Sequence, residues 1–118
     1  MDEQEKYTLL AQVTASMMQE PDMPAQRRAQ LLLERAEIYT ALNNPAKALD
    51  DLDEAISLND SLAGAYMLRG RLRFGLRDKN AAFEDLRRAA QLDPSLLDSI
   101  SGEYKTPGAP KAFKLPKD

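Results

Sequence analysis

Residues 29–62 read AQLLLERAEIYTALNNPAKALDDLDEAISLNDSL, and residues 63–96 read AGAYMLRGRLRFGLRDKNAAFEDLRRAAQLDPSL. Laid over one another, the two stretches agree at ten of their 34 positions. These include Ala29/Ala63, Arg35/Arg69, Ala48/Ala82, Asp51/Asp85, Leu52/Leu86 and Ala55/Ala89. Chance would give about two or three identities for a composition of this kind. The chain therefore contains a tandem repeat, and a period of this length belongs to stacked helical units that bury their apolar faces on their neighbours.

Each copy predicts two helices. Leu32, Ala36, Tyr39 and Leu42 recur at intervals of three and four, the apolar stripe of an amphipathic helix. Asn43-Asn44-Pro45 interrupts it, because proline disfavours helix in the residue before it and suits the first turn of the next helix. Ala48, Leu52, Ala55 and Ile56 form a second stripe. The second copy repeats the plan, with its turn at Arg77-Asp78-Lys79 and its close at Asp93-Pro94-Ser95. Asn59-Asp60-Ser61 ends the second helix of the first copy and offers an N-cap for the next, and Ser95 is read as the cap of a short helix after Pro94. Small residues, Ala36 and Gly70 on first helices and Ala48 and Ala82 on second ones, allow the axes to approach to about 8 Å. Helices are expected near 4–19, 25–43, 46–58, 62–76, 79–92 and 95–101.

Flanking segments complete the array. Tyr7, Leu10, Val13, Met17 and Met18 predict an N-terminal helix, in which both methionines are read as core. Pro21 and Pro24 separate it from the repeats. Leu96, Leu97 and Ile100 predict a short capping helix that begins a third unit. This divides the chain into an N-terminal helix and linker (1–24), a repeat domain with its cap (25–101) and a Lys/Pro-rich tail (102–118). The tail, with Pro107, Gly108, Pro110 and Pro116 among its lysines, lacks apolar periodicity and is expected to be loose.

Composition removes whole classes of chemistry. The chain has no Cys and no His, so thiolate nucleophiles, His-based triads and ordinary zinc sites are excluded. No P-loop or dinucleotide fingerprint is present. Asp50-Asp51-Leu52-Asp53-Glu54 lies within a predicted helix and lacks the alternating oxygens and glycine of a calcium loop. No catalytic, cofactor-binding or metal-binding residue is assigned. A net charge of −3 argues against nucleic acid as partner, and no apolar run is long enough for membrane insertion. The N-terminus does not read as a signal peptide, so a cytoplasmic setting is expected; removal of an upstream signal would leave a periplasmic or exported setting open. Arg35 and Asp51, like Arg69 and Asp85, stand 16 residues apart in both copies, which predicts an ion pair joining the two helices of each unit.

The period, the helix pairing and the small-residue positions resemble the tetratricopeptide repeat family. Leu32, Ala36, Tyr39, Ala48, Leu52 and Ala55 carry the likeness in the first copy, and Tyr66, Gly70, Ala82, Leu86, Ala89 and Pro94 in the second. Leu32, Asp60 and Arg73 depart from the usual aromatic, proline and aromatic. The resemblance implies an all-α, right-handed helical solenoid. It implies a protein-interaction module, adaptor or scaffold, that presents a concave groove to a peptide or partner helix and catalyses nothing. The alternative is a structural, self-associating subunit of a larger assembly. A monomer or weak homodimer is expected. By the same resemblance the first helix of each unit lines the groove, which makes Leu33, Glu37, Met67, Arg71 and Phe74 the candidate partner-binding residues. Glu37 and Arg71 are expected to pair across it when it is empty. Some members of the family grip a C-terminal carboxylate with Lys and Asn on these helices. Leu33, Glu37 and Leu68 stand at those positions here, which argues against a carboxylate clamp.

Overall fold

The computed structural model describes residues 1–103, and the tail expectation lies almost wholly outside them. Six α-helices follow one another: α1 (Glu3–Gln19), α2 (Ala25–Ala41), α3 (Pro45–Leu58), α4 (Ala63–Gly75), α5 (Lys79–Leu92) and α6 (Leu97–Glu103). A 3-10 turn, Pro94–Leu96, precedes α6. No strand occurs among the described residues. Helices α2 and α3 form one antiparallel hairpin and α4 and α5 the next; α1 packs on α2 much as α3 packs on α4.

Both hairpins turn in the same way. Asn44 N–H donates to the Tyr39 carbonyl at 2.8 Å and Asp78 N–H to the Arg73 carbonyl at 2.9 Å, the six-to-one bond of a Schellman close. That close needs a left-handed residue, and Asn43 (φ 60°) and Arg77 (φ 67°) supply it. Asn tolerates this conformation better than Arg does. After the turn, Pro45 stands in the first turn of α3, and the Asn44 side chain caps the helix by accepting from Lys47 N–H at 3.3 Å. Asp78 makes no equivalent cap for α5.

Neither the cap expected from Asn59-Asp60-Ser61 nor the one expected from Ser95 is formed on the helix that follows. Helix α4 starts at Ala63 with no side-chain cap. Asn59 Oδ1 accepts from Ser61 N–H, and Asp93 Oδ1 accepts from Ser95 N–H, each at 3.1 Å. An Asx side chain two residues ahead can bond the backbone before the serine does, so Asn59 and Asp93 organise these turns.

The interior follows the predicted stripes. Ala29, Ala36, Ala48, Leu52, Ala55 and Ala65 are inaccessible to solvent, with Met17, Leu32 and Leu33 closing the same cluster. Met67, Leu86, Ala89, Ala90 and Ile100 form a second cluster. Full burial of Leu52 and of its counterpart Leu86 stabilises the fold by about 1.5–3 kcal/mol each. Gly70 marks the tightest approach: a Cβ there would stand 2.8 Å from Leu86 Cγ. Ile100 of α6 is wholly buried, so the short helix is the lid that was expected.

Helix α1 departs from its reading at two positions. Met17 is buried, but Met18 is 76% exposed and Tyr7 54% exposed. Consecutive helical residues lie about 100° apart, and among the described residues α1 has only α2 as a substantial neighbour, so its covered stripe is too narrow for both methionines.

Candidate functional site

The predicted ion pairs are present and bidentate. Arg35 donates from Nε and Nη2 to Asp51 Oδ2 and Oδ1 at 2.8 and 2.7 Å. Arg69 donates likewise to Asp85 at 2.9 and 2.8 Å. Asp51 and Asp85 are buried, and a buried carboxylate requires this kind of parallel pairing. The hydrogen bonds to Asp51 and Asp85 hold both guanidinium groups above their ordinary pKa despite the opposing effect of burial. The third nitrogen of each arginine reaches back to the preceding helix, Arg35 to Thr14 Oγ1 at 3.3 Å and Arg69 to Asp53 Oδ1 at 3.0 Å. Arg73 Nη1 adds a bond to Asp85 Oδ2 at 2.8 Å. These arginines therefore tie helices together, and Arg35 does so on the wall of a cleft of about 280 Å³ that it shares with Thr14, Met17 and Leu32.

The five candidate partner-binding residues divide in two. Leu33 and Met67 are buried, at 6% and 5% exposure. Leu33 packs toward α4, where a Cβ on Gly64 would lie 3.1 Å from its Cδ2, and Met67 shares its cluster with Ile100 of α6. Each spends its side chain on the first helix of the next unit, which is why neither offers a surface anchor. Glu37 and Arg71 are exposed, and Phe74 is half-buried with its ring edge-to-face on Phe83, centroids 5.8 Å apart. Glu34 is exposed and Leu68 half-buried on the same pair of helices. The surface offered by α2 and α4 is thus more polar than the sequence suggested.

The expected Glu37–Arg71 pairing is not what governs Glu37. Its carboxyl is pushed above the ordinary carboxylate range by partial burial and then by the nearby charge of Glu34. An arginine partner would lower it instead.

Beside Glu37 the sequence reading overlooked a cleft. Helices α1 and α2 diverge around a space of about 330 Å³ lined by Leu9, Val13, Ile38 and Ala41, with Met1, Lys6, Glu34 and Glu37 also on its walls. Lys6 Nζ crosses to the Ala41 carbonyl at 3.2 Å, a cation at a helix C-terminus. The cleft lies between α2, the first helix of the first repeat, and α1, which stands outside the repeat register, so no periodicity could reveal it. Aromatic contacts were legible only in part. Arg35 and Lys47 flank the Tyr39 ring, and Arg69 and Arg88 flank that of Tyr66, with 5.6–6.0 Å to the centroids.

Among the described residues no group of acidic side chains is placed to hold a metal, and no helix is long and apolar enough to cross a membrane. Known proteins sharpen the comparison. The family model for the tetratricopeptide repeat matches residues 29–61 and 63–96. Hsc70-interacting proteins 1 and 2 of Drosophila melanogaster are each 36% identical to the chain over 81 residues, 69% of this chain. The chain spans only 21% of the length of either relative. Among solved structures, the first TPR of Spaghetti (RPAP3) bound to the HSP90 peptide SRMEEVD superposes with a TM-score of 0.68 at 29% identity, over 86% of this chain and 82% of the other.

Proposed function

The chain belongs to the tetratricopeptide repeat family, and from that premise we propose that it binds a protein or peptide partner along the face formed by α2 and α4. The family is a protein-interaction fold and not an enzyme family. The observation that carries the reading is the likeness, over most of the chain, to a repeat domain solved with a peptide bound. Exposed Glu37 and Arg71 stand at equivalent positions of the two first helices and supply polar selectivity, with half-buried Leu68 and Phe74 beside them. Apolar and aromatic contacts next to an arginine suit an interface centre. A cytoplasmic setting belongs to this proposal.

The partner differs from the peptide of the solved neighbour. Leu33 is buried, Leu68 is apolar and Glu37 is anionic, so a peptide rich in glutamate and ending in a carboxylate would meet repulsion where it needs donors. The test is the affinity of a captured partner for the wild-type chain and for Arg71→Glu, with a thermal melt of each. Weaker binding at an unchanged melt supports the proposal, and unchanged binding at an unchanged melt moves the interface elsewhere. The second reading, self-association, is favoured by exposed Tyr7 and Met18 on the uncovered side of α1. A dimer whose mass persists on dilution and is lost on Met18→Lys would establish it.

A further inference from the structure

Charged residues make up 30% of the chain, yet residues 7–19, YTLLAQVTASMMQ, hold none. This run forms most of α1, where Val13 and Met17 turn inward to the core. Roughly 140° round the helix from them stand Gln4, Tyr7, Ala11, Ala15 and Met18, all exposed. Tyr7 and Met18 are two of the large apolar side chains that the fold leaves in solvent. The charges of α1, on Glu3, Glu5 and Lys6, lie near its start and about 80° or more from this stripe. Among the described residues no second helix packs substantially on that side.

The stripe reads alike in both directions. Its intervals are three, four, four and three, centred on Ala11, so it is its own complement when a second copy is turned about a two-fold axis there. We infer that α1 pairs antiparallel with α1 of a second copy, in the register that sets Ala11 on Ala11. Each Tyr7 then lies level with Ala15 of the second copy and beside its Met18, which gives two sulfur–aromatic contacts. Alanine at the crossing lets the helix axes approach to about 8 Å. The inference rests on the self-association reading above and assigns it a surface and a register. Charge selects a like occupant, because a partner with Lys or Glu against the stripe would bury it unpaired, whereas a second copy brings no charge. At the ends, the acidic first turn of one copy meets a region of the other where Arg27 and Arg28 balance Glu20 and Asp22; Arg27 stands 3.5 Å from Glu20. Because the stripe turns away from α2, the pairing leaves the α2–α4 face open.

The chain has no cysteine, so single cysteines report the register cleanly. With α carbons about 2.3 Å from each axis and the axes about 8–10 Å apart, the two Ala11 α carbons stand roughly 5 Å from each other, within disulfide reach. The two Ala15 positions are offset by about 12 Å along the axis. The experiment oxidises full-length Ala11→Cys, Ala15→Cys and Gln12→Cys at equal concentration and follows the covalent dimer on non-reducing gels, beside sedimentation of the wild-type chain. Wild type is expected to sediment as a dimer, and Ala11→Cys to link at least tenfold faster than the other two. Adding Tyr7→Lys/Met18→Lys to Ala11→Cys should slow it to the rate of Gln12→Cys. A wild-type dimer in which Ala15→Cys or Gln12→Cys links as fast as Ala11→Cys overturns the pairing and leaves self-association standing. A wild-type monomer with three equal rates overturns both.

Discussion

The first and second repeats share a plan and differ in how it is held. In the first, Asp51 receives Arg35 alone, and the third arginine nitrogen rests on a neutral hydroxyl, that of Thr14. In the second, Asp85 receives both Arg69 and Arg73, and Arg69 also holds Asp53 of the preceding repeat. The first hairpin separates its helices with the methyl of Ala36; the second has Gly70 pressed on Leu86. The first turn carries Asn43 and an Asn44–Pro45 cap, while the second forces Arg77 into the left-handed region without a side-chain cap. One repeat is therefore well made locally and sparsely tied, and the other is strained locally and held by a charge network. Identical topology can be stabilised by different balances of local and tertiary terms.

The largest expected effect is at the acidic hubs. Asp85→Ala strands two arginines in a partly buried site and should cost about 3–5 kcal/mol. Asp51→Ala strands one, which keeps Thr14, and should fall at or below the lower end of that range. Urea melts of the two variants, with a double-mutant cycle on Arg69→Ala and Asp85→Ala, check the ranking. Additive losses in the cycle would remove the network from the account.

Next come the small residues. Gly70→Ala gains about 1 kcal/mol of helix propensity but drives a Cβ into Leu86, and overpacking of about 1–3 kcal/mol leaves a net loss of up to about 2 kcal/mol. The converse change, Ala36→Gly, should lose about 1 kcal/mol through propensity. Thermal denaturation of both tells whether the two hairpins are closed to different tolerances. Arg77→Gly should gain about 1 kcal/mol by relieving the left-handed strain, against a few tenths for Asn43→Gly. Equal gains would erase the difference between the turns.

The smallest effect concerns Glu37. Its folded pKa lies above its unfolded one, so its ionised form is disfavoured by folding. The penalty is complete above the folded pKa and disappears as pH falls below the ordinary carboxylate value. Glu37→Gln should therefore raise the melting temperature slightly near neutral pH, and the gap to wild type should close in acid.

The sequence disclosed what is periodic. Alanines at matched positions announced the hairpins, and the spacing of 16 between Arg35 and Asp51, repeated at Arg69 and Asp85, announced the ties between them. Arg73 was within reach of the same logic, one helical turn after Arg69. What stayed hidden depends on contacts between units. Thr14 meets Arg35 only because α1 occupies the position that α3 occupies beside α4. Leu33 and Met67 have groove positions by resemblance but core positions in fact, since stacking of successive first helices consumes them. Met18 shows the same limit from outside: an apolar residue is buried only if a neighbour covers its side.

The central claim is that partners bind on the face shared by α2 and α4, and shift mapping on the isotope-labelled chain tests it most directly. With a captured partner fragment added at saturation, the account predicts perturbations clustered at Glu34, Glu37, Leu68, Arg71 and Phe74, with α3 and α5 little changed. Perturbations concentrated on the exposed residues of α3 and α5 instead, such as Asp50, Asp53, Glu84 and Arg87, would contradict it.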